Sequence, residues 1–451
     1  MTAMRTASTR IGASLLLGLS AASAHAQWQP LWSTPWQHPE PIHSASPLKV
    51  RSAADGATFA GVDVTHHSAS HVALVRFNPD GSFAWTRERP AQSLSGLLLL
   101  DAGRVAIVGD GGTAAAPLYI NVYDATSGNL LWERQAAGGR TLTDERDDTE
   151  QVAVDSSGNI LLLASDGGDY VIVRYDSAGN PLPTWRRTID ADEDVRASGI
   201  LALPDGGVIV TGEGASLHGG YVTLRLDAQG SELFRDVDPG GIANPLGPAY
   251  LGIDADGNAL LAAAPESPGG VPCAQVWKLS PTGARLWTRV LPNPGSLTSS
   301  MSIGGFTLAP NGDVLIVADM NSQPFRLVRL DGATGAVRQD VATPLPSNPS
   351  SMALAPNGRV LVGGYAFIDS SGHVGGRLVE FAASGAACRV ANNVDMFSKV
   401  ENSASANGWT VLGSTQFIPG TGNDAFVRRY DADGACSVVD VLFANGFQPG
   451  L

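Results

Sequence analysis

Two acidic loops are the residues whose types and spacing first suggest chemistry. Asp144-Glu145-Arg146-Asp147-Asp148 and Asp190-Ala191-Asp192-Glu193-Asp194 each crowd carboxylates into a short stretch. Asp190, Asp192 and Asp194 have the alternate spacing of a calcium loop, because a hard divalent cation draws oxygen ligands from successive odd positions. The rest of that motif fails: Val195 stands where an EF-hand needs Gly, and Leu201 where it needs Glu. Acids at Asp148 and Asp194 also recur at one position of a repeat. Calcium at Asp190, Asp192 and Asp194 is therefore one reading, and a solvated acidic rim is the preferred one.

Histidines cluster at one end, with His38, His43, His66, His67 and His71 among the seven that follow residue 26. Imidazole suits first-row metals, but His66 and His67 would point to opposite faces of a strand, so an exposed loop is preferred. His218 and His373 each stand among glycines and offer rim contacts without an assigned role. Of the three cysteines, Cys388 and Cys436 follow turn glycines in successive repeats, and a disulfide between them is expected as readily as not. Cys273 then reads as a small buried hydrophobe. There is no G-x-S-x-G elbow, no H-E-x-x-H, no P-loop and no G-x-G-x-x-G opening a helix. No catalytic residue and no cofactor-binding residue is assigned.

The elements that must carry these loops are set by composition and repetition. The 451 residues are 43% hydrophobic and 16% charged, with 53 Gly and 28 Pro, a load that long helices do not tolerate. Turn glycines recur in two series, at 56, 103, 158, 206, 257, 312, 358 and 408 and at 81, 128, 179, 230, 283, 335, 385 and 434. The second series steps by 47, 51, 51, 53, 52, 50 and 49 residues. Each unit holds four apolar stretches rich in Val, Ile, Leu, Tyr and Trp, joined by two tight turns and two variable loops. A four-stranded sheet of that size cannot bury both faces alone, so neighbouring sheets must stack. An all-β, eight-bladed β-propeller over residues 27–451 is predicted, with a seven-bladed ring carrying extra terminal strands as the alternative and a β-solenoid ranked below.

An aromatic stands near the start of each fourth stretch: Trp85, Trp132, Phe234 and Trp287 four residues after the second-series Gly, and Trp185 six after. It reads as a wedge between sheets. In the last three units the sequence suggests Val337, Cys388 and Cys436 in its place. Leu31-Trp32-Ser33-Thr34 looks like a further copy of this outer strand, suited to close the ring; whether it displaces the stretch Val438 to Phe443 or adds to it stays open. Arg76, Arg174, Arg225, Arg329 and Arg429, with Lys278, share one register, and recurrence marks them as scaffold. Glu380 breaks that series.

Residues 1–26 read as a secretory signal, with Arg5 and Arg10 ahead of an apolar run and Ala24-His25-Ala26 as the cleavage site. Export to the periplasm, cell surface or exterior is expected. The formal charge of −14 disfavours nucleic acid and anionic lipid as partners, and no apolar run is long enough to insert in a membrane.

Gly422-Asn423-Asp424-Ala425-Phe426-Val427-Arg428-Arg429-Tyr430-Asp431 and Val152-Ala153-Val154-Asp155-Ser156-Ser157-Gly158-Asn159 resemble the bacterial SBBP-type β-propeller repeat. Tyr123-Asp124-Ala125-Thr126-Ser127-Gly128-Asn129-Leu130-Leu131-Trp132 is similar to the repeat of the PQQ-like, or quinoprotein-like, propellers. Asp440-Val441-Leu442-Phe443-Ala444-Asn445-Gly446-Phe447 resembles a short tail of some exported bacterial proteins. Quinoprotein dehydrogenases of that class hold a quinone with calcium. The residues that would cradle it find no one-to-one match here, and adjacent cysteines are absent, so the quinone is not carried over. The function expected is an exported binding protein that recognises a protein or glycan through rim loops. The alternative is a propeller enzyme: a metal- or quinone-dependent oxidoreductase, or a carbohydrate-active hydrolase or lyase.

Overall fold

Alternating apolar residues leave each strand with two greasy faces, and the computed structural model places those faces in different cores. The structure describes residues 28–432 apart from 37–43, 67–68, 92, 102, 112–117, 137–150, 191–194, 214–219, 239–248, 265, 268–270, 293–300, 320–323, 347, 368–373, 393–394, 404–407 and 415–424. In the strand Ala69–Phe77, Val72 and Leu74 enter one core while Ala73 and Val75 enter the next. That division is what a period of two dictates.

Eight antiparallel sheets result, each of four principal strands. In chain order, blade 1 spans 44–90, blade 2 spans 93–136, blade 3 spans 152–188 and blade 4 spans 196–238. Blade 5 spans 250–292 and adds the short strand Glu266–Ser267; blades 6 and 7 span 302–346 and 348–392. Blade 8 takes three strands from 396–431 and its outermost strand, Trp32–Trp36, from the other end of the chain. Thr34 pairs with Val427 and Trp36 with Ala425 in that closing ladder. The N-terminal copy thus holds the outer position of the last sheet, whereas Val438 to Phe443 lie outside the described residues. Eight sheets exclude the seven-bladed alternative.

Eight apolar cores, one between each pair of neighbours, hold the ring together. One joins blade 8 to blade 1 through Leu412, Val427, Val62 and Val75. First strands crowd the axis, and there small residues allow close approach. A Cβ on Gly96 would lie 2.1 Å from Val152, and one on Gly305 would lie 2.6 Å from Met352 of the following blade.

Aromatic wedges complete six seams. Trp32, Trp85, Trp132, Trp185, Phe234 and Trp287 each lie over the second-turn glycine of the next blade, from Gly81 round to Gly335. Gly128 has φ +70°, and its missing Cβ leaves the space that the Trp85 ring fills. In blades 6 and 7 the register corrects the sequence reading: Gln339, not Val337, and Arg389, not Cys388, pair opposite the scaffold position. Gln339 is the residue over Gly385. The sequence reading falls two residues short in blade 6 and one short in blade 7, because neither Gln339 nor Arg389 carries the aromatic ring that marks this position elsewhere.

Candidate functional site

The first and third strands of each blade end in tight turns on one face of the ring, and the second and fourth end in more variable loops on the other. Asp190 lies on the second face. Asp190 is half-buried, and its N–H donates to the Gly168 carbonyl at 3.1 Å, while the Val195 N–H donates to Gly167 at 3.1 Å. Both ends of the 190–194 loop are thereby pinned to the turn between the second and third strands of blade 3. Asp192, Asp194 and the whole of 144–148 lie outside the described residues, as do His38, His43, His67, His218, His373 and Cys436. His66 closes the strand Thr58–His66, and His71 is half-buried on the next. Among the described residues no three His, Cys, Asp or Glu side chains converge as metal ligands. Cys388 is wholly buried and disulfide-bonded, and Cys273 is a buried free thiol.

The recurring cations are scaffold. Arg225 pairs with Asp205 at 2.8 Å and donates to the Pro281 carbonyl of the next blade at 2.9 Å. Lys278 pairs with Asp254 at 2.7 Å and reaches Gly332 at 2.8 Å; Arg329 pairs with Asp313 at 2.7 Å and reaches Ala383 at 3.3 Å. Each cation therefore ties its own first turn to a neighbour's second turn. Arg174 stacks over Trp185 with its guanidinium carbon 3.8 Å from the ring centre.

Blade 7 reverses these charges. Glu380, wholly buried, accepts from Arg389 Nε at 2.5 Å and Nη2 at 2.7 Å, from Trp409 Nε1 at 2.9 Å and from Arg359 Nη1 at 3.4 Å. Arg359 stands one residue after its turn glycine, where blade 6 has Asp313. Arg389 also donates to the Asp431 carbonyl at 2.7 Å and carries the Trp28 ring at 4.2 Å. The break at Glu380 is thus a complete exchange of acid for base that welds blade 7, blade 8 and the N-terminal segment.

On the turn face, the channel wall opens an apolar cavity of about 410 Å³ between the first strands of blades 4, 5 and 6. Leu201, Leu251, Ile253, Phe306 and Leu308 line it, all half-buried. Half a turn round the ring, blades 8 and 1 present Glu401, Arg51 and Ser52 at the corresponding strand ends. The mouth is therefore apolar on one side and polar on the other. Its apolar lining offers no carboxylate for the calcium of a bound quinone and does not fit that group.

Residues 48–218, the first three blades and part of the fourth, match the family model described as outer membrane protein assembly factor BamB. No curated protein matches the chain. Among solved structures it is similar to Saccharomyces cerevisiae Sqt1, with 11% identity and TM-score 0.55 over 88% of this chain and 98% of that one. The Dos1 propeller matches at 12% identity and TM-score 0.54, covering 89% and 96% respectively. Quinohemoprotein alcohol dehydrogenase ADHIIG from Pseudomonas putida HK5 matches at 11% identity and TM-score 0.51, covering 90% and 79%. The likeness is one of fold. Together these matches support a PQQ-like propeller; the SBBP-type repeat stays a resemblance of sequence. No helix among the described residues is long and apolar enough to cross a membrane.

Proposed function

We propose that the chain is an exported binding protein whose ring presents loops to a protein partner in the bacterial envelope. The observation that carries this reading is the match of residues 48–218 to the outer-membrane assembly factor model. It is supported by the use of the recurring charges inside the scaffold, which leaves recognition to the variable loops and the channel mouth. Export follows the signal read in residues 1–26, and mass spectrometry of the exported chain is expected to find Gln27 first.

In-cell crosslinking tests the partner. Alanine blocks at 144–148 or 190–194 should abolish recovery of a crosslinked protein while leaving the thermal midpoint unchanged; undiminished recovery with both blocks would overturn the reading. An intrinsic chromophore or stoichiometric calcium in the purified protein would instead favour the enzyme reading or the Asp190, Asp192, Asp194 calcium site. The Cys388–Cys436 disulfide is a further proposal, supported by the bonded state of Cys388 and the free thiol of Cys273. Thiol titration of the unreduced, denatured chain should then find Cys273 alone reactive.

A further inference from the structure

At the seam between blades 6 and 7 the wedge is missing, and the space it leaves is not closed. Gln339 lies over Gly385 where the other seams carry an indole or phenyl ring, and it donates to the Ser384 carbonyl at 2.5 Å. An open cavity of about 400 Å³ remains, lined by Asn311, Asp313, Arg329, Arg338, Gln339 and Ser384. Every lining side chain is polar, in contrast to the apolar cavity at the channel.

The charges of this cavity cancel. Asp313, almost fully buried, accepts from Arg329 Nε at 2.7 Å and from Asn311 Nδ2 at 3.0 Å, and Arg338 Nε lies 3.3 Å from its other oxygen. Arg338 also donates to Asp331 beside the cavity, which holds that carboxyl down at about 2. Two guanidiniums thus face two carboxylates, and an incoming anion would have to displace Asp331 from Arg338. A guanidinium has five N–H donors, so several on Arg329 and Arg338 remain beyond those bonds. Planar amide, carboxylate and guanidinium groups supply both donors and acceptors, and a hydroxyl needs both.

The geometry points to a binding site for a neutral polyhydroxylated ligand, a hexose unit, at the blade 6–blade 7 seam. This site goes beyond the protein-partner reading and does not depend on it. With no aromatic platform in the lining, affinity in the millimolar range is expected.

Ligand-observed NMR of the full mature protein with the methyl glycosides of glucose, galactose, mannose and N-acetylglucosamine tests it, with glucuronate as the anionic control. At least one neutral glycoside should saturate, with the same Kd at about 0.02 and 0.3 M salt, where screening differs several-fold. Gln339→Trp, which restores the wedge, should weaken binding by about 10-fold or more. Arg338→Gln, at an exposed side chain, should weaken it several-fold and serves if the first variant fails to fold. Saturation by none of the neutral glycosides, a salt-sensitive preference for glucuronate, or binding unchanged in the folded variants would overturn the site.

Discussion

Blades 6 and 7 are neighbours built on one plan, yet they hold their outer strands by opposite means. Blade 6 keeps the arrangement of most of the ring, a cation on the third strand answered by an acid at the first turn, Arg329 to Asp313. Blade 7 puts the acid on the strand and cations at Arg359 and Arg389. The difference shows that the scaffold fixes a position and a complementary pair rather than a residue type. It also shows what each arrangement tolerates. Where the aromatic becomes Gln339, a cavity opens; where it becomes Arg389, Trp28 and Glu380 enclose the side chain on either side.

The largest break in that comparison should come from Glu380→Ala. It would leave the Arg389 guanidinium and the Trp409 indole N–H buried without their acceptor. Breaking a buried pair by removing one partner costs about 3–5 kcal/mol, and urea unfolding should show a loss of that order. Glu380→Gln keeps the volume and one acceptor oxygen and should recover part of it. A loss of under about 1 kcal/mol for the alanine variant, the size of a surface ion pair, would show that the cluster is no weld.

Next in size is the wedge itself. Trp85 is almost fully buried, and its indole N–H donates to Thr126 of blade 2 at 3.0 Å. Trp85→Ala should cost about 3 kcal/mol or more by deleting a buried aromatic. Gln339→Ala, at the seam already open, should cost under about 1 kcal/mol. Equal losses at the two positions would mean that Gln339 seals its seam as well as an indole does. Gly128→Ala probes the same seam from the other side. Left-handed backbone costs an L-residue about 1–2 kcal/mol, and the added Cβ would lie 2.7 Å from the Trp85 ring. The destabilisation should exceed that of Gly103→Ala, where a Cβ would meet only Asp101 at 3.7 Å.

Much of this was legible from residue order, for reasons visible in the seams. Most of the turn glycines take positive φ, Gly103 and Gly408 being exceptions, so their spacing counted the blades correctly, and the outer-strand copy around Trp32 pointed to ring closure. The wedge in blades 6 and 7 was not legible by the same means. The four-residue offset from the second-turn glycine lands on Gln339 and Arg389, but neither side chain is aromatic, and the apolar Val337 and Cys388 drew the reading off register. Glu380 was visible as an exception, but its meaning needed Arg359 from the first turn and Arg389 and Trp409 from two other strands. The cavity beside Gln339 is set by what the side chain fails to fill, and only packing reveals that.

The smallest effect is the response of the acid-at-the-turn plan to low pH. In blade 5, which shares the plan of blade 6, burial pushes the Asp254 carboxyl up, but Lys278 and Asn258 outweigh it and hold the group below its ordinary 3.8. At Asp331 of blade 6, the bonds from Arg338 and the Thr334 backbone hold it at about 2. Asp205 is lowered as well, first by the Gly207 N–H. A carboxyl whose folded pKa lies below its unfolded value binds protons more tightly in the unfolded chain. Its stabilisation is complete above about pH 4 and fades as pH falls through the depressed folded values, toward 2 for Asp331. The thermal midpoint should therefore be flat from neutral pH down to about 4 and drop below it. Asp331→Asn should make that acid drop shallower while lowering the midpoint at neutral pH only slightly, because the pair is solvent-exposed. An unchanged acid drop in Asp331→Asn would assign the loss to other carboxylates of the ring.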